Sequence, residues 1–121
     1  MHRKHLLVID DEPAVSRLVR KVAESLEYDV CVTTQARDFK KAYETLEPAV
    51  IVLDVVMPDV DGIELVQWLA AMSCKAKVII VTGYHPHYAE IAREIGALRG
   101  LERVETFTKP LDISGFRAAL R

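Results

Sequence analysis

At 121 residues, half of them hydrophobic and 28% charged, the chain has the size and composition of one globular domain with a substantial core. A net charge of −2 and a pI near 6.1 exclude the basic footprint of a direct nucleic-acid binder. The apolar run at residues 6–9 is too short for a signal peptide or a membrane span, and Cys31 and Cys74 match no metal or redox spacing, so both read as reduced packing residues of a cytoplasmic protein.

Leu6-Leu7-Val8-Ile9 reads as a first buried strand, and it ends in three acids, Asp10, Asp11 and Glu12. Pro13 suits the first turn of a helix with an acidic cap ahead of it, and Val15, Leu18, Val19, Val22 and Leu26 share one helical face. Tyr28, Val30 and Val32 alternate with Asp29, Cys31 and Thr33, which predicts a half-exposed strand. A second helix carries Phe39, Ala42, Tyr43 and Leu46 inward and ends before Pro48.

Val50-Ile51-Val52-Leu53 is a strand apolar on both faces, stopping at the carboxylate of Asp54. One role for Asp54 is to start the turn that follows; another is to stand at a ligand site beyond the strand's carboxyl end. After Asp61-Gly62, a third helix presents Leu65, Val66, Leu69 and Met72, with Trp68 off that stripe and Gly62 serving the turn. Val78-Ile79-Ile80-Val81 is another wholly apolar strand, ending at Thr82-Gly83. Pro86 opens a helix with Tyr88, Ile91, Ala92 and Ile95 on one face. His85 and His87 beside it lack a third ligand and read as solvated. Residues 97–103, between Gly96 and the next strand, fit helix or loop equally. Val104 to Thr108 is a mixed strand ending at Lys109-Pro110, and a last helix turns Ile113, Phe116 and Leu120 inward.

Five strands alternating with five helices predict an α/β fold around a single parallel sheet. The first, third and fourth strands are apolar throughout and belong at the centre; the second and fifth are partly polar and belong at the edges. With right-handed crossovers the simplest order is 2-1-3-4-5, the flavodoxin-like arrangement. The order reverses between the first and third strands, so Asp10, Asp11 and Asp54 converge at the switch point. Thr82 and Lys109 end the next strands out. That convergence favours a site over simple capping.

This ordered set resembles the receiver (CheY-like) domains of two-component response regulators. The likeness runs over essentially the whole chain: Asp10-Asp11, Asp54 within Asp-x-x-Met-Pro-x-x-Asp-Gly, Thr82-Gly83 and Lys109-Pro110. It implies that Asp54 accepts a phosphoryl group from a sensor histidine kinase or a phosphotransfer protein. It further implies that Asp10, Asp11, Asp54 and the backbone carbonyl of Val56 hold Mg²⁺. Lys109 and Thr82 would contact the phosphoryl oxygens, with Gly83 leaving room, and the bond to Pro110 would be cis. The domain would cover residues 1–121, as the N-terminal part of a longer regulator or alone, and act on a downstream effector domain or protein. It would be no enzyme beyond its own phosphorylation and dephosphorylation, with no membrane and no direct nucleic acid among its partners; a homodimer is compatible with it.

The residue types suit that chemistry. Phosphoryl transfer is mostly positioning and charge neutralisation, a carboxylate can be its nucleophile, and Mg²⁺ takes oxygen ligands. Val56 and Tyr84 flank the expected approach of water, so an apolar Val56 and a bulky Tyr84 predict a long-lived phosphoaspartate. Two features depart from the family pattern: Thr106 stands where an aromatic switch is usual, with Phe107 on the opposite strand face, and residues 97–103 lengthen the segment before Lys109. Two other classes use related parts. A Mg²⁺-dependent aspartyl-phosphate phosphatase would place its nucleophile after the first strand, and a flavodoxin-like binding module would carry a Gly-rich loop there, which this chain lacks.

Overall fold

The computed structural model describes residues 3–83 and 86–121, leaving aside the side chain of Pro86. In chain order the elements are β1 (Lys4–Ile9), α1 (Pro13–Ser25), β2 (Tyr28–Thr33), α2 (Ala36–Leu46), β3 (Val50–Asp54), β4 (Val56–Met57), β5 (Val60–Asp61), α3 (Gly62–Ala71), β6 (Lys77–Thr82), α4 (Pro86–Leu98), β7 (Val104–Thr108) and α5 (Ile113–Ala119). β4 and β5 form a small antiparallel hairpin outside the main sheet. The main sheet is parallel, in the order β2-β1-β3-β6-β7. With the hairpin set aside this is the predicted 2-1-3-4-5.

Apolar strands bury both faces because helices cover both sides. Leu7, Ile9, Ile51, Leu53, Val78 and Ile80 pack with Phe39, Leu65, Val66, Leu69, Ala89 and Ala92 on one side. Leu6, Val8, Val50, Val52, Ile79 and Val81 pack with Val19, Val22, Ala23, Phe116 and Leu120 on the other. The alternation along each strand divides its side chains between two cores. Among the described residues, no helix is long and apolar enough to cross a membrane.

Several local expectations are corrected. Met72 is 40% exposed and Ile113 49% exposed, so neither belongs to the core stripe of its helix. On α4 Ala92 is buried as expected and Ala89 is buried with it, while Tyr88, Ile91 and Ile95 are half-buried. Small inward residues let α4 lie close to its neighbours, and a Cβ at Gly96 would come within 3.0 Å of the Val66 side chain. The helix runs through Gly96 and stops before Gly100, whose φ of 108° ends it. Glu12 does occupy the N-cap position of α1, but its side chain makes no capping bond. Trp68 packs edge-on against Tyr43, at 5.3 Å between centroids, and takes no part in the site.

Candidate functional site

β1 and β3 are adjacent and in register from Leu6 opposite Val50 to Ile9 opposite Leu53, which brings Asp10 and Asp54 side by side beyond the strand ends. Both are buried, at 1% and 2% exposure. Each carboxylate is oriented by a backbone amide two residues on: Glu12 N donates to Asp10 Oδ1 at 2.8 Å, and Val56 N donates to Asp54 Oδ1 at 2.9 Å. These Asx-type bonds come from Asp at a strand-to-loop exit, where the next amides have no strand partner. They fix the carboxylate planes and leave each Oδ2 facing the other strand ends.

Lys109 fills that space. Its position follows from β7 lying beside β6, and its amide donates to Thr82 O at 2.8 Å. The bond from Lys109 to Pro110 is cis, as expected. Lys109 Nζ donates to Asp54 Oδ2 at 3.0 Å and to Glu12 Oε1 at 2.6 Å, and lies 3.3 Å from Asp10 Oδ2. Burial alone would pull its pKa down; the hydrogen bonds to Glu12 and Asp54 and the charges of Asp10 and Asp54 outweigh that and hold it above its ordinary value. Asp10 is pushed up to about 6, chiefly by burial, with the Glu12 amide opposing and the charge of Asp54 adding to the rise.

Thr82 ends β6 and is buried. A Cβ at Gly83 would meet Lys109 Cδ at 3.7 Å, an ordinary contact, so an alanine would fit there on steric grounds. Val56 is 42% exposed and lines an apolar groove with Val60, Tyr88 and Ile91. Tyr84 and His85 lie outside the described residues. Thr106 is half-buried, while Phe107 faces the opposite side and packs against Phe116 at 5.9 Å.

The acids divide differently from the expectation. Asp10, Glu12 and Asp54 bring carboxylate oxygens within 4.8 Å of one another, whereas Asp11 is exposed and lines a shallow cavity with Ser16, Arg17 and Arg20. Glu12 was missed as a site residue because a helix-capping position accounts for an acid there without any tertiary partner. The buried carboxylates of Asp10 and Asp54 fit a hard divalent cation on two observations. All the available ligands are oxygen, and Asp10 Oδ2, fully buried, has an ion-pair contact but no hydrogen bond. One lysine leaves the cluster with excess negative charge.

The model of the response regulator receiver domain matches residues 6–121. The transcriptional regulatory protein FixJ of Azorhizobium caulinodans is 36% identical over 94% of this chain and 52% of its own length. The sporulation initiation phosphotransferase F of Bacillus subtilis is 28% identical over 100% of this chain and 94% of its own. Full-length FixJ from B. japonicum superposes with a TM-score of 0.83 at 27% identity, covering 99% of this chain and 57% of that one. The chain spans 40% of the alkaline phosphatase synthesis transcriptional regulatory protein PhoP of Bacillus subtilis, a relative at 32% identity. A match from the first fully buried residue of β1 to the end of the chain leaves one conclusion: the chain belongs to the receiver domains of two-component response regulators.

Proposed function

We propose that Asp54 is the phosphoacceptor, taking a phosphoryl group from the phosphohistidine of a sensor kinase or phosphotransfer protein. The observation that carries this reading is the pairing of a buried carboxylate with a partly buried ammonium at the sheet's switch point, 3.0 Å apart. An Asp54 oxygen forms the new P–O bond as the P–N bond to the donor breaks, and the imidazole leaves with the bonding electrons. The Val56 amide holds the carboxylate in one plane for that attack. Lys109 and the Thr82 hydroxyl accompany the charge on the equatorial oxygens, acting by position and electrostatics.

Asp10, Asp11, Asp54 and the Val56 carbonyl are the groups that would hold Mg²⁺. Bound there, the ion would supply positive charge to offset that of the carboxylates and the anionic donor. Of the acids in that set, Asp11 is exposed and Asp10 and Asp54 are buried. The domain acts as a receiver and signals to an effector in the cytoplasm. Acetyl phosphate with Mg²⁺ should add one phosphate by intact mass, and Asp54→Asn should abolish it. Equal labelling of the variant would reject Asp54 as the nucleophile, and steady turnover of the donor without a phosphoprotein would point to a phosphatase.

A further inference from the structure

Glu12 is the one acid of the cluster whose part in the chemistry is unassigned. An N-cap side chain ordinarily accepts from the second or third amide of its helix. In α1 the amides of Val15 and Ser16 go to the backbone carbonyl of Glu12, and its side chain caps nothing. The Glu12 amide is itself held by Asp10 Oδ1, which sets the backbone in place at the strand end. From that anchor the side chain reaches Lys109 Nζ at 2.6 Å, the shortest of the three contacts that ammonium makes.

An ammonium has three protons, and Asp10, Glu12 and Asp54 surround it on three sides. A phosphoryl group on Asp54 needs one of those directions. Asp10 is fully buried at a strand end, and Asp54 carries the phosphoryl group itself. The Glu12 side chain is 56% exposed, so its carboxylate passes to water at the least desolvation cost. A new charge of about −2 on Asp54 also repels it. We infer that Glu12 is a positioning residue: it latches Lys109 in the unphosphorylated state, competes with the phosphoryl group for that ammonium, and lets go on phosphorylation. The inference rests on the assignment of Asp54 as phosphoacceptor.

Two variants separate a latch from a general charge effect. Glu12→Gln removes the charge, whereas Glu12→Asp keeps it but withdraws it by one bond of about 1.5 Å, out of reach of Lys109. With Mg²⁺ saturating, both variants should bind the phosphoryl mimic beryllofluoride about threefold tighter than wild type. Both should also take phosphate from acetyl phosphate faster by a similar factor. The Lys109 side-chain ¹³Cε and ¹⁵Nζ resonances of the unphosphorylated protein should move alike in both, a change that loss of a helix cap would not cause. A Glu12→Asp protein that matches wild type while Glu12→Gln is faster would overturn the latch in favour of simple charge. Loss of Mg²⁺ affinity in Glu12→Gln, measured by titration, would overturn it by making Glu12 a metal ligand. If wild type is labelled on Asp54 and both variants behave like wild type, only the latch fails; if Asp54→Asn is still labelled, the phosphoacceptor reading fails with it.

Discussion

Asp10 shows how one buried carboxylate links stability to pH. Its folded pKa, near 6, lies above the ordinary value of 3.8, so the folded state holds the proton more tightly than the unfolded chain does. The stability this confers is present below about pH 4 and is lost as pH rises through about 6. In EDTA, the urea midpoint should therefore fall between about pH 4 and pH 7, and Asp10→Asn should flatten that fall. Excess Mg²⁺ at neutral pH should restore the wild-type midpoint and leave the variant nearly unmoved. Val56 makes a second prediction at this scale. Its apolar, exposed side chain stands two residues after Asp54 and offers an attacking water no hydrogen bond. Val56→Glu supplies one and should speed loss of phosphate from Asp54 severalfold, read from the decay of phosphoprotein under excess Mg²⁺. An unchanged decay would remove Val56 from control of the lifetime.

At the scale of elements, the turn from β3 to α3 is held by close approach. Asp61 caps α3, accepting from Ile63 N at 3.0 Å and Glu64 N at 3.2 Å, and β4 pairs with β5 just ahead of it. Gly62, the first residue of α3, is buried with its backbone against Val55, and a Cβ there would lie 2.4 Å from Val55 Cα. Intrinsic helix propensity favours Ala over Gly by about 1 kcal/mol. A clash with backbone cannot be relieved by a rotamer change, and overpacking of this kind costs about 1–3 kcal/mol or more. Gly62→Ala should thus destabilise on balance, and because Val55 adjoins Asp54 it should also slow labelling by acetyl phosphate. Urea unfolding reads the first effect and intact mass the second; a stabilised Gly62→Ala would show that the turn yields freely. The contact of Phe107 with Phe116 ties β7 to α5 in the same element-by-element way, and such edge-on aromatic pairs contribute about 0.5–1.5 kcal/mol beyond burial.

Across the whole molecule, the sheet separates two cores, and the site sits where both meet the strand ends. Lys109 reaches that site from β7, whose backbone is tied to Thr82 at the end of β6, and α4 packs on both strands. Charge arriving on Asp54, on the proposed reading, would be felt first by Lys109 and then by the β6, β7 and α4 end of the sheet. Thr106 gives no large ring to rotate, and Phe107 is engaged in the other core. The response should therefore travel through backbone: beryllofluoride should change amide exchange within residues 83–108 and leave β1 and β2 as they were. Changes confined to the acid pocket would rule that route out.

The sequence by itself pointed to the strand order, because strands apolar on both faces must be central and, with right-handed crossovers, 2-1-3-4-5 is the simplest arrangement. Once that order is set, Asp10 and Asp54 end adjacent strands, and Lys109, two strands along at the same edge of the sheet, comes within reach through its long side chain. The cis bond before Pro110 was legible only through the family resemblance. Tertiary structure alone decided what each side chain does on arrival. Glu12 forgoes its local role as a cap for a lysine 97 residues away, and Asp11, its equal in sequence, turns to the surface. On α4 Ala92 faces inward as its spacing predicts, but Ala89 joins it while Tyr88 and Ile91 stay half-buried, and Ile113 faces water. Periodicity reports which residues share a face, but which edge of that face is covered depends on how the helix is rotated against its neighbours. That rotation, like the partner of an acid at a loop, is set by packing between elements distant in the chain.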